Sequence, residues 1–186
     1  TDYQNWAQNH LWQGKTKNKG IGIFAKVGIH LEKVEWPDDG LELFLPCRID
    51  KRFIMLAVWT KQANSPNFAY IGQFWKYLQK HKVRLSNGRT IICGDFNSNV
   101  RWDEWDRWWN HSDVVRELEE IGIRSVYHLA NAEIQGGETR ATFFLHRDRA
   151  KSYHIDYAFV SSDFVNDMQV KCEVGDMDIW LPISDH

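Results

Sequence analysis

The sequence predicts an α/β domain of two packed, mostly antiparallel sheets with helices on the outside. Two observations carry that expectation. Apolar runs of strand length recur in hairpin-like pairs, before and after one long amphipathic segment, so the order lacks the strict β–α alternation of a doubly wound parallel fold. The chain has 186 residues, 43% of them hydrophobic, which is enough for one domain with a real core and requires no second.

The elements follow in order. Ile21–Ala25 reads as a strand announced by the polar run Gly14 to Gly20. Leu41 to Ile49 and Phe53 to Thr60 are apolar and bounded by the turn residues Asp38-Asp39-Gly40 and Asp50-Lys51, as an antiparallel pair requires. Pro66 to Lys82 carries Phe68, Ile71, Phe74, Trp75 and Leu78 at helical spacing, with Ser65 placed to cap it. Ser86-Asn87-Gly88 then turns into a strand over Thr90 to Cys93. A helix is expected from Ser112 or Asp113 to about Ile121, stopped by Gly122. Gly136-Gly137 marks a turn before strands over Ala141 to Leu145, His154 to Val160 and Met168 to Val174.

Ten tryptophans stand out in the composition. Trp102, Trp105, Trp108 and Trp109 fall at helical spacing, and the expectation is an aromatic helix face packed on the body rather than a platform for ligand rings. The formal net charge of −2 excludes a uniformly basic coat but not a local basic groove. Cys47, Cys93 and Cys172 lie far apart with no C-x-x-C pair, which fits buried thiols in a reducing compartment and an expected cytoplasmic location. No apolar stretch reaches the roughly 18 residues of a membrane span.

Three polar stretches each close an apolar run. Gly94-Asp95-Phe96-Asn97 follows Ile91-Ile92-Cys93; Asp156 interrupts His154 to Val160; Ser184-Asp185-His186 ends the chain. On an extended backbone Asp95 and Asn97 point to one side while Phe96 turns inward. The carboxylate can align or deprotonate a water, and the amide can donate to a phosphate oxygen without adding charge. The plainer alternative is an Asx-turn ending a strand. A carboxylate in a buried strand is costly unless partnered. Asp156 is therefore expected either to pair with Arg140 or Arg147, or to hold the His186 imidazole in one tautomer. Carboxylates, an amide and an imidazole at strand ends are the parts needed to cleave a phosphate ester with a divalent cation.

The order GDFN, HIDYAFVS, SDH resembles the endonuclease/exonuclease/phosphatase superfamily, which includes exonuclease III, DNase I and inositol-polyphosphate 5-phosphatases. The resemblance covers the chain from about Gly20 to His186. It implies a DNase I-like four-layer α-β-β-α sandwich and Mg2+- or Mn2+-dependent hydrolysis of a phosphate ester, with DNA or RNA the first candidate substrate. By motif, Asp95 resembles the residue that orients or activates water and Asn97 the phosphate-binding amide. Asp185 matches the carboxylate near the metal, His186 the imidazole on the scissile phosphate, and Asp156 the carboxylate paired with it. Thr142-Phe143 looks like the family's Thr-Phe segment.

Two departures shape the expectation. Many relatives end one strand with a His or Tyr that reaches the phosphate. Here that position is Trp59, which offers an indole N–H but cannot take a proton. The family's Gln-Glu metal ligand strand has no counterpart, since no Glu occurs from Thr1 to Lys19, and the last core strand is missing too. Residues 1–186 are thus expected to form a single domain that is a fragment, with a metal site relying on Asp185 and little activity. Lys15, Lys17 and Lys19, and Arg140, Arg147, Arg149 and Lys151, form basic clusters. The second either grips a polyphosphate backbone or is a solvated hairpin. Beside the nuclease reading stand two others: hydrolysis of a small substrate such as a phosphoinositide, sugar phosphate or nucleotide, and a catalytically silent phosphate-binding protein.

Overall fold

The computed structural model describes Ala7, residues 9–63, Ser65, residues 67–167 and residues 169–186. A six-stranded mixed sheet is its frame. The strands are β3 (Leu31–Lys33), β4 (Phe44–Ile49), β5 (Phe53–Trp59), β6 (Thr90–Asp95), β10 (Asp156–Ser161) and β7 (Ile123–Ser125), in that spatial order. All neighbours are antiparallel except β5 and β6. Between those two, helix α1 (Ile71–Ser86) makes the crossover that a parallel pair needs.

Side-chain alternation separates the two faces. Leu56, Val58, Ile92, Tyr157 and Phe159 point toward α1 and helix α2 (His111–Glu120), where they join Phe74, Leu78 and Leu118 in the main core. Full burial of each such side chain contributes roughly 1.5–3 kcal/mol. The opposite face, with Cys47 and Ala57, packs on Ile23 of a second, two-stranded sheet, β1 (Asn9–Thr16) with β2 (Lys19–Ala25). Helices, a mixed sheet and a smaller antiparallel sheet stack in that order, three of the four layers expected of the sandwich.

The predicted strands at residues 21–25, 41–49, 53–60, 90–93 and 154–160 are present with shifted ends, and β4 and β5 do pair antiparallel. Four expectations need correction. The polar run after Gly14 is itself largely strand: β1 extends to Thr16, whose Oγ1 accepts the Lys19 N–H and closes the hairpin. The long helix begins at Ile71, not Pro66, which lies outside the described residues. Ser65 Oγ instead accepts the Phe68 N–H in a separate turn, and Tyr70 at φ +51° breaks the helical path before Ile71. The strand expected at Ala141 to Leu145 shrinks to β8 (Phe143–Phe144), paired with β9 (Ser152–Tyr153). The strand expected over Met168 to Val174 is absent across residues 169–174, Met168 itself lying outside the described residues. Both edges of β10 are already taken, by β6 and β7.

The tryptophan helix does not form either. Past a 3₁₀ turn at Val100–Trp102 the chain runs as turns and bends to Asn110. Side chains compete for its backbone here. Asn110 Oδ1 accepts the Glu104 N–H while its Nδ2 donates to the Glu104 and Arg107 carbonyls. Asp103 caps α2 by accepting the His111 and Ser112 N–H groups. Trp109 alone of the four is anchored inward, against Phe68 with ring centres 4.5 Å apart. Helix α3 (Val126–Asn131) and strands β3 and β7 were not visible in the sequence.

Candidate active site

Asp95 ends β6 and Asp156 begins β10, and the antiparallel register places them directly opposite each other. Trp59 ends β5 beside Asp95 in the parallel register. All three face the second sheet, so one edge of the frame delivers them to one place. Gly94 makes this possible: it sits at φ +140°, and a Cβ there would stand 2.0 Å from the Val58 carbonyl oxygen.

The sequence Asp95-Phe96-Asn97 serves as an Asx-turn and a side-chain pair at once. Phe96 is fully buried as expected, but Asn97 lies at φ +44° and is not extended. Asp95 Oδ1 accepts the Asn97 N–H at 2.8 Å and Oδ2 accepts from Asn97 Nδ2 at 2.6 Å. That amide nitrogen also donates to the Thr60 carbonyl at 3.1 Å. Burial pushes the Asp95 carboxyl up to about 6, helped by the nearby Asp156 charge and opposed by the Asn97 N–H.

His186 Nδ1 stands 2.9 Å from Asp156 Oδ2 and 3.2 Å from Oδ1. Asp156 therefore partners His186 and neither Arg140 nor Arg147. The hydrogen bond to Asp156 raises the His186 pKa above its ordinary value, against the effect of burial, with the Asp95 and Asp185 charges adding to it. The other ring nitrogen, Nε2, is left to face the cavity.

Three residues fix this pair. Thr142 Oγ1 accepts the Ile155 and Asp156 N–H groups at 3.1 and 3.0 Å. The Phe144 N–H donates to the Asp185 carbonyl at 2.8 Å. Arg147 donates to the Pro182 and Ile183 carbonyls at 3.1 and 3.2 Å.

The second basic cluster is thereby accounted for: Arg147 braces the terminal segment, Arg149 pairs with Asp178, Lys151 with Asp148, and Arg140 donates to the Val174 carbonyl. Positive charge reaches the site from elsewhere. The Lys61 and Lys19 ammonium groups lie 5.2 and 5.9 Å from the Trp59 ring centre. Lys61 went unread in the sequence, although it follows the end of β5 by two positions.

Two cavities, of about 930 and 400 Å³, share Gly94, Asp156 and His186 in their walls, and Asp95 and Trp59 line the larger. Strands in this order, with a carboxylate–imidazole pair joining β10 to the SDH segment, form one recognisable frame. The fold is DNase I-like. Three solved members of that fold illustrate the likeness. A 3′-5′ exonuclease (NExo) from Neisseria meningitidis superposes with TM-score 0.55 at 17% identity, over 85% of this chain and 68% of its own. An AP endonuclease from Archaeoglobus fulgidus gives 0.56 at 17%, over 89% and 71%. A truncated Caenorhabditis elegans TDP2 gives 0.55 at 12%, over 86% and 63%. No protein-family model and no curated protein matches the chain.

Within this DNase I-like frame the donors are carboxylate and amide oxygens, the set a hard cation such as Mg2+ or Mn2+ takes. Among the described residues no group of three or more His, Cys, Asp and Glu is arranged to hold a metal ion. Asp95 and Asp156 line the larger cavity, whereas Asp185, next to His186 in the chain, lines neither of the two. Among the described residues no helix is long and apolar enough to cross a membrane.

A buried layer beneath the site escaped the sequence reading altogether. Asn99 Nδ2 lies 3.1 Å from the His154 carbonyl, 3.0 Å from Tyr157 Oη and 3.1 Å from Glu138 Oε2. It ties the Asp95–Asn97 loop to the segment carrying Asp156. Glu138 also meets His128 Nε2 at 3.1 Å. Burial works against its ionisation, yet the hydrogen bonds from His128, the Gly136 N–H and Asn99 hold it down at about 2. The members of this layer lie far apart in the sequence, and no local pattern marks them.

Proposed function

We propose that the chain is a divalent-metal-dependent phosphoesterase of nuclease type, hydrolysing a phosphodiester with an activated water. The observation that carries this reading is the Asp156–His186 pair standing across one ladder from the Asp95–Asn97 pair. It gives a raised-pKa imidazole and a half-buried carboxylate side by side in the wall of one cavity wide enough for a phosphate ester. The fold is shared with a 3′-5′ exonuclease and an AP endonuclease, which favours a nucleic-acid strand as the ester.

Asp156 keeps the Nδ1 proton of His186 in place and stabilises the imidazolium, so that Nε2–H donates to a non-bridging phosphate oxygen as charge builds there. Asp95, held by Asn97, orients the attacking water and takes its proton. The Asn97 amide, its two N–H groups held by Asp95 and the Thr60 carbonyl, acts by positioning the Asp95 carboxylate. The Trp59 indole N–H donates to the phosphate without adding charge, and Lys19 and Lys61 favour the approach of an anion. The carboxylates of the cavity wall would hold the Mg2+ or Mn2+ ion, which when bound neutralises charge on the phosphate.

Plasmid nicking by this chain in millimolar Mg2+ or Mn2+, lost in Asp95→Ala and His186→Ala, is the expected result. Release of inorganic phosphate from small esters without nicking would move the substrate to a small phosphate ester. Tight binding of phosphate compounds without turnover would leave a silent binder.

A further inference from the structure

Trp102, Trp105 and Trp108 are 46%, 97% and 62% exposed, on a loop that its own side chains hold in shape. Asp103 and Asn110 pin both ends, Glu104 pairs with Arg107 at 3.2 Å, and Trp109 roots the segment on Phe68. Packing explains Trp109; Trp102 touches Tyr153 and Trp108 meets Trp109 edge-on at 4.8 Å, yet both keep about half or more of their surface open to water, and Trp105 nearly all of it. Large apolar side chains held outward on an ordered loop mark a contact surface.

The loop is not remote from the chemistry. Trp102 meets Tyr153 with ring centres 5.4 Å apart, Tyr153 meets Phe143 at 6.4 Å, and Phe143 meets His186 at 4.6 Å. A line of rings thus runs from the imidazole to Trp102, at the head of the exposed loop. A cavity of about 150 Å³, with Arg101, Arg140, Trp102 and Tyr153 in its wall, opens alongside.

We infer that the Trp102–Trp108 loop is a stacking platform for unpaired bases of the strand whose phosphate is cleaved, so that the substrate class is single-stranded or frayed nucleic acid. The inference rests on the nuclease reading. Its chemistry is general: every base has a flat π-face that an indole can cover, whereas the faces of bases inside a duplex already stack on each other. Asp103 is turned to the α2 N-terminus and Glu104 to Arg107, which leaves Asp106 as the loop carboxylate that works against a polyanion. Continuity of the rings with His186 is what selects a strand leading to the scissile phosphate over an unrelated partner.

The test measures anisotropy of two labelled strands of equal length and charge, an oligodeoxythymidine and one built from abasic sugar-phosphate units, with EDTA present. The oligodeoxythymidine is expected to bind about ten-fold more tightly, and Trp105→Ala or Trp102→Ala to remove most of that preference. At 97% exposure Trp105 carries no fold stability, so its loss reads the surface alone. Equal affinity for both strands, with cleavage in Mn2+ retained, would overturn the platform and leave the nuclease reading intact. Failure to bind or cleave either strand would overturn both. Self-association that depends on Trp105, with no preference for bases, would also overturn it by making the loop a contact between copies of this chain.

Discussion

His186 reaches back across thirty positions to place its Nδ1 2.9 Å from the Asp156 carboxylate. The bond fixes the tautomer and raises the imidazole pKa. Asp156→Asn keeps the shape but removes the charge, so the pKa returns toward its ordinary value. Turnover should fall by about 10²–10⁴-fold, and the alkaline limb of the pH–rate profile should move to lower pH. Retained turnover with an unmoved limb would show that the pair has no catalytic role.

Asp95 supplies the opposite limb. Burial lifts its pKa to about 6, and a base works only when deprotonated. Rate should therefore rise with pH through about 6 and fall again as His186 loses its proton. Steady-state rates across pH on wild type and Asp95→Asn check this, the variant losing the acid limb along with most of the activity.

Gly94→Ala tests the geometry of the sheet edge. Its Cβ would meet the Val58 carbonyl oxygen at 2.0 Å, on a backbone at φ +140°. A loss of at least about 3 kcal/mol is expected, read as the shift in urea midpoint. A midpoint within error of wild type would show that β5 and β6 can part at no cost.

Arg147 acts on His186 only through the backbone it holds at Pro182 and Ile183. Arg147→Ala should lower kcat by about ten- to hundred-fold with little change in thermal midpoint, because the side chain is exposed. Arg147→Lys should recover only part of it, one ammonium replacing a forked guanidinium.

His111 is a stability group. It is buried against Tyr157, neither ring nitrogen makes a well-formed hydrogen bond, and burial pushes its pKa from 6.5 to about 4. Between those values the unfolded chain binds a proton that the folded one refuses, so stability falls as pH drops through that window, by up to about 3 kcal/mol. Asp95 and His186, with raised pKa values, contribute in the opposite sense. His111→Phe isolates the single group: its thermal midpoint should fall less than that of wild type between pH 6.5 and 4.

What could be read in the sequence was whatever depends on period and order. Ile91-Ile92-Cys93 before Gly-Asp and the apolar run around Asp156 located two central strands, because burial on both faces demands unbroken apolarity. The order of the three polar stretches named the frame. Short-range polar competition was illegible: Trp102 to Trp109 has a helical period, yet Asn99, Asp103 and Asn110 each take backbone groups for themselves and the helix loses. The buried Asn99–Glu138–His128 layer was invisible for a different reason. Its members are polar, scattered and brought together only by the tertiary fold, so neither spacing nor hydropathy marks them.

The direct opposition of Asp95 and Asp156 in one ladder has a consequence for folding fidelity. A slip of β10 by a single position would turn Tyr157 and Phe159 out of the core and carry the carboxylate to the wrong side of the sheet. Such a misregistered molecule would keep much of its strand content while losing catalysis, so specific activity, more than circular dichroism, reports how faithfully a preparation has folded.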